Sequence, residues 1–120
     1  MNAQSSRPTK EYLSGVPELL VLRLLADREM YGYEIVRGIR LRSAEQMSFG
    51  EGVVYPLLHA MQKRRLLAIR RETFNGRPRI YYRLTASGHK KLDEKISRWN
   101  QVSSAIQAFL DGDPDEQSAN

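Results

Sequence analysis

Apolar residues recur along this chain with two periods, and the change between them outlines a fold. From Pro17 to Ala26 the run PELLVLRLLA is apolar except for Glu18 and Arg23, which predicts a helix buried nearly all round. Pro17 suits a first helical turn, and Glu18 favours the positive end of the helix dipole. A second helix is expected from about Met30 to Leu41, with Ile35, Val36 and Ile39 on one side and Arg37 and Arg40 on the other. Gly32 and Gly38 weaken it by roughly 1 kcal/mol each relative to Ala, which implies close packing against a neighbour. A third helix should begin near Gly50 or Glu51 and bury Val54, Leu57, Leu58 and Met61. Phe49 and Val54 are placed as a hydrophobic staple, and Ser48 with Glu51 offers an alternative capping box. Pro56 falls inside this helix. Its ring presses on the carbonyl of Gly52, the residue best able to yield, so a bend is expected rather than a break.

Beyond Leu66 the spacing turns to that of strands. The segment LLAIRRETFNGRPRIYYRLT holds two runs rich in β-branched and aromatic residues around Asn75-Gly76, a strong hairpin signal. Ile80, Tyr82 and Leu84 should face the core, and Arg79, Tyr81 and Arg83 should face out. A long helix is then expected from about Ala86 to Leu110. Leu92, Ile96, Trp99, Ser103, Ile106 and Leu110 follow a 4-3-4-3-4 spacing, flanked by Val102 and Phe109, as in a coiled-coil seam. The expected cover is a second chain, with Leu92, Ile96, Trp99, Ile106 and Leu110 in the dimer interface. The whole reads as mostly α with a small β-hairpin: a winged helix-turn-helix domain over residues 11–85 and one dimerisation helix over 86–110. Residues 1–10 are expected to form a flexible arm, and the acidic DGDPDEQSAN (111–120) a disordered tail.

Composition narrows the classes. The 120 residues, 41% hydrophobic and 28% charged, suit one soluble globular domain. No run of 18 apolar residues and no secretory signal is visible, so a cytoplasmic protein without membrane partners is expected. There are no cysteines, which excludes disulfides and thiolate metal sites. Charge is unevenly spread. Residues 28–91 carry 14 Lys/Arg against 5 Asp/Glu, so a centre of +9 sits between flanks of −4. Such a field attracts a polyanion, although a solvated basic face without a partner has the same composition.

Candidate chemistry concentrates in that centre. Opposite the apolar stripe of the third helix lie Tyr55, His59, Gln62 and Lys63, which read either as base readers in a major groove or as an ordinary solvated helix face. Tyr55 has a second reading, as a ring packed on its own domain. Asn75, Arg77 and Arg79 mark the wing, where the arginines read either as contacts to phosphates or the minor-groove edge or as charges that serve solubility. Trp99 reads either as packing in the seam or as a stacking platform, with Ser103 one turn away leaving space for a planar aromatic or cationic ligand. His59 and His89 lie thirty residues apart with no carboxylates at ligand spacing, so no metal site is expected. No nucleophile motif is present, and neither catalysis nor a cofactor is expected.

The pieces YGYEIV (31–36), VVYPLLHAM (53–61) and RIYYRLTASGHKKL (79–92) resemble signature segments of PadR-like transcriptional regulators, in unbroken order over about residues 10–110. The resemblance implies a bacterial, dimeric winged-helix repressor whose dimer uses the last and the N-terminal helices. It also implies membership of the compact subgroup with one C-terminal helix, some of which bind flat aromatic compounds at the dimer interface beside a Trp matched by Trp99. Two departures stand out. Arg65 occupies a position where members usually carry Gly, implying a different helix end or an added phosphate contact, and the tip FNGRPR is shorter than usual. The expected function is therefore a ligand-responsive, homodimeric repressor on a pseudo-palindromic operator of double-stranded DNA, nucleoid-associated when bound. The rival is a winged-helix module for protein or RNA partners without operator specificity.

Overall fold

The structure, a computed structural model, describes residues 15–112. The expected N-terminal arm lies outside the described residues, as does the acidic tail beyond Gly112. Within the described residues, four helices and three short strands run in the order α1 (Val16–Asp27), β1 (Met30–Tyr31), α2 (Gly32–Arg42), α3 (Glu51–Lys63), β2 (Leu67–Phe74), β3 (Arg77–Leu84) and α4 (Ala86–Asp111). Fold class and hairpin are those the sequence predicts. The turn is the two-residue Asn75-Gly76, with φ of 50° and 77°, the paired left-handed conformation that matches the twist of a hairpin.

β1 departs from expectation. The spacing of apolar residues puts Met30 and Tyr31 at the start of α2, yet they pair with β3, Met30 opposite Tyr82 and Tyr31 opposite Tyr81, giving an antiparallel sheet of order β1-β3-β2. A two-residue strand has no periodicity of its own; only the open edge of β3 creates it. Helix α2 starts after it, and the Glu34 carboxylate accepts the Tyr31 N–H at 3.1 Å.

Val21, Leu22, Ile35, Val54, Leu58 and Met61 are fully buried and join α1, α2 and α3 in one core. Both glycines of α2 are close-packing sites, as their cost implies. A methyl group on Gly38 would press on Leu24, and one on Gly32 would meet the Tyr55 ring, with Cζ and the hydroxyl at 2.6 Å. Ile80 corrects the sequence reading: Tyr82 and Leu84 are buried, but Ile80 is exposed. The core ends before the hairpin does, so alternation continues with nothing to cover it.

Helix α3 is capped at Gly50, which offers no side chain, so the Ser48–Glu51 box is not formed. Val53 and Val54 both donate to the Gly50 carbonyl at 3.0 Å, while Phe49 packs against the cluster that buries Val54. The helix runs unbroken through Pro56. At its far end Arg65 N–H donates to Gln62 at 2.9 Å and Leu66 N–H to Met61 at 3.0 Å, the paired bonds of a Schellman motif. Thr85 ties this helix end to α4. Its hydroxyl donates to the Arg65 carbonyl at 2.6 Å and accepts the Gly88 N–H at 3.0 Å, so one residue joins the end of α3 to the start of α4.

The first turns of α4 belong to the domain. Gly88 is buried against the Leu66 carbonyl, and Leu92 is 5% exposed within the core. Leu92 therefore leaves the expected dimer seam, because its own protomer already covers it. From Ile96 onward the apolar face is open, with Trp99 56%, Ile106 54%, Leu110 69% and Phe109 78% exposed. No helix among the described residues is long and apolar enough to cross a membrane.

Candidate nucleic-acid interface

The side chains available on α3 depend on which of its faces the core takes. Val54, Leu58 and Met61 point inward, so the opposite strip carries Gly52, Pro56, His59 and Lys63 into solvent. His59 and Lys63 are thus exposed where the sequence placed them. Gln62 is half-buried at the flank. Tyr55 is half-buried too, its ring laid over Gly32. Burial, with Glu51 and Tyr31 nearby, raises its phenol pKa above the ordinary value, which keeps the hydroxyl a proton donor. Both readings of Tyr55 meet in this position: the ring packs on the domain, and its edge lines an open cleft between α3 and the wing, together with Tyr33, His59, Arg77 and Arg79.

The two wing arginines differ. Arg77 is exposed beside Asn75 at the tip. Arg79 is held over two rings, with its guanidinium carbon 4.2 Å from the Tyr31 centroid and 4.1 Å from that of Phe74. The neighbouring Arg70 lies 4.5 Å over Tyr81 and forks onto Glu29, with bonds of 2.8 and 3.1 Å. Register explains the ladder: Arg70 stands opposite Tyr81, and Arg79 is diagonal to Phe74, all on the outer face of the sheet. The sequence reading missed Tyr31, Phe74 and Arg70 as parts of the wing. Phe74 facing Arg77 across the turn was the available signal, but Tyr31 joins only through β1.

Many cations of the basic centre are tied to carboxylates, Arg28 to Glu34, Arg40 to Glu45, Arg42 to Asp27 and Arg70 to Glu29. Among the described residues, Lys63, Arg65, Arg71 and Arg77 have no carboxylate at ion-pair distance, and all four are exposed around α3 and the hairpin. That local excess, more than the total charge, makes the face attractive to a polyanion.

Behind α3 sits an ion cluster. Glu18 on α1, only 8% exposed, accepts from Arg64 at 2.5 Å and pairs with Lys95 of α4 at 3.3 Å. Burial pushes its carboxyl up, but Arg64 and Lys95 outweigh this and hold it below the usual value. One carboxylate thereby links the end of α3 to α4.

A helix with His59 and Lys63 exposed on its outer strip, beside a basic hairpin and on this core and sheet order, has counterparts among known proteins. The family model of PadR-like transcriptional regulators matches residues 21–94. The chain belongs to the PadR-like family. It is accordingly a DNA-binding transcriptional regulator with a winged helix, not an enzyme. A transcriptional regulator from Clostridium thermocellum is similar at a TM-score of 0.77 and 26% identity, over 83% of this chain and 98% of that one. A PadR-like regulator from Bacillus cereus is similar at 0.73 and 32%, over 86% and 99%. PadR of Bacillus subtilis, solved in complex with operator DNA, shares the fold at 0.64 and 23%, over 69% of this chain and 46% of that one.

In this PadR-like chain the second candidate region lies on α4. Trp99 borders a hollow of about 210 Å³ against α1, with Gly15, Val16, Leu19, Lys95, Arg98 and Val102 around it. Ser103 stands off that hollow. Its hydroxyl donates to the Trp99 carbonyl at 2.7 Å, one turn back on its own helix. Trp99 thus lines the hollow with two cations, while Ser103 touches only the Trp99 backbone.

Proposed function

We propose that the chain works as a homodimeric repressor on a pseudo-palindromic operator, released when a planar aromatic compound enters the seam between protomers. The observation that carries this reading is an open basic face and an open apolar stripe in one protomer. His59, Lys63 and Arg77 are exposed on the first, and Ile96, Trp99, Ile106, Phe109 and Leu110 on the second. Leaving so continuous a stripe in water is costly, and contiguous apolar patches mark association sites. Pairing two α4 helices by a two-fold covers the stripe and presents two α3 helices, which suits half-sites about one helical turn apart. The hollow beside Trp99 supports a planar effector. Lys95 and Arg98 at its edge favour an acidic aromatic compound over a cationic one.

Selection of bound duplexes from a random pool, with sedimentation of the free chain, tests the reading. A palindromic motif and a dimer at micromolar concentration are expected. Binding that prefers no duplex over excess competitor DNA would instead mark a general nucleic-acid or protein-binding module, and a monomer would remove the seam.

A further inference from the structure

The outward strip of α3 is unusually poor in hydrogen-bonding groups toward its N-terminus, the half of a recognition helix that meets base edges. Glu51 aside, the exposed residues of its first three turns are Gly52, Val53, Pro56, His59 and Ala60. Val53, Pro56 and Ala60 are spaced by three and four, so they form one apolar stripe beside the His59–Lys63 row. Val53 is 48% exposed, a branched apolar side chain at the tip of a basic face. Backbone access points the same way. A methyl group placed on Gly50 or Gly52 would touch nothing within 4 Å, so the domain leaves this end of the helix bare on its outer side.

A polar helix end would read bases by donors and acceptors. This one offers methyl groups and a pyrrolidine ring, whose counterpart in a major groove is the C5-methyl of thymine, the one apolar feature among base edges. We infer that Val53, with Pro56 and Ala60, specifies thymine by methyl contact in each half-site, while His59 and Lys63 supply the polar readout. The inference rests on the operator reading above and names what the same face recognises. Exposed cations at Lys63, Arg65 and Arg77 hold the duplex against the stripe, which by itself has no affinity for a charged backbone.

The test uses the full chain and the duplex it selects, with thymines replaced by deoxyuracil at symmetric positions and binding followed by fluorescence anisotropy. Burial of one methyl group changes a binding constant roughly fourfold, so loss from both half-sites costs about fifteenfold. One or two thymines per half-site should show that loss, and the rest should show almost none. Val53→Ala, at an exposed position, should melt as the parent does, bind the thymine duplex more weakly, and lose the thymine–uracil difference at one of those positions. His59→Ala should keep it. Uracil duplexes that all bind within twofold of the parent duplex would overturn the inference and leave operator binding standing. So would a thymine–uracil difference that survives both Val53→Ala and Ala60→Gly. A pool that yields no preferred duplex would remove operator specificity, and this inference with it.

Discussion

Two single residues hold α3 in place at a cost or gain that can be measured. Arg65 adopts φ 63° at the position after the helix where only glycine is unstrained, and its N–H still makes the Schellman bond. The helix end is therefore the one a glycine would form, and the arginine adds a charge there. Arg65→Gly should stabilise the free protein by about 1 kcal/mol, seen as a melting temperature a few degrees higher, because the left-handed conformation costs an L-residue about that much. The same change should weaken DNA binding if the exposed cation meets a phosphate. Glu18 acts in the opposite sense. Glu18→Gln removes the charge that Arg64 and Lys95 share, and a charged hydrogen bond of this kind contributes about 1–3 kcal/mol. The folded pKa lies below the ordinary glutamate value, so the carboxylate's contribution is complete above that ordinary value and is lost as pH falls through the folded pKa. Parent and variant should differ in denaturant midpoint at pH 7 and converge in acid. A constant difference across that range would place the effect in packing instead.

At the scale of elements, local patterns were legible and partnerships were not. The Asn75-Gly76 turn and the apolar run of α1 arise from residue types that act over a few positions, and the cost of Gly32 in a helix signals a close neighbour without naming it as Tyr55. β1 was hidden because its two residues gain strand character only from β3, and Ile80 was misplaced because periodicity says which side faces inward but not where the core stops. Leu92 was assigned to the wrong partner for a related reason: a seam spacing cannot tell an intramolecular cover from a second chain. On the candidate DNA face, His59, Lys63 and Arg77 stood where spacing put them, whereas the role of Arg79 depended on rings from two other strands. That difference separates the two wing arginines experimentally. Arg77→Ala should leave the melting temperature unchanged and reduce the slope of log affinity against log salt by about 1 per protomer. Arg79→Ala removes two cation–π stacks, each of about 0.5–1 kcal/mol at an exposed site. It should speed amide exchange across Phe74–Arg77, an effect Arg77→Ala should not produce. Equal behaviour of the two variants would mean that the stacks do not hold the wing.

At the scale of the whole molecule, a chain of ion pairs joins the two open faces. Lys95 borders the hollow beside Trp99 and also holds Glu18, and Glu18 holds Arg64 at the end of α3. A ligand carrying an acidic group at the hollow would compete with Glu18 for Lys95, and a carboxylate left with one partner holds α3 less firmly. Such a ligand would be linked to operator binding through one side chain, and linkage requires each to weaken the other by the same factor. Trp99 is the sole Trp of the chain, so its fluorescence reports the site directly. Titration with planar aromatic acids should quench it saturably and lower operator affinity, while cationic dyes of equal size should act more weakly because Lys95 and Arg98 repel them. Trp99→Ala should abolish the response to the acids and leave operator affinity within a few-fold. Lys95→Met should keep the dimer yet uncouple the two events, so that quenching no longer predicts release. If Trp99→Ala instead gives monomers in sedimentation, and no compound quenches the parent, the indole is packing in the seam and the effector enters elsewhere.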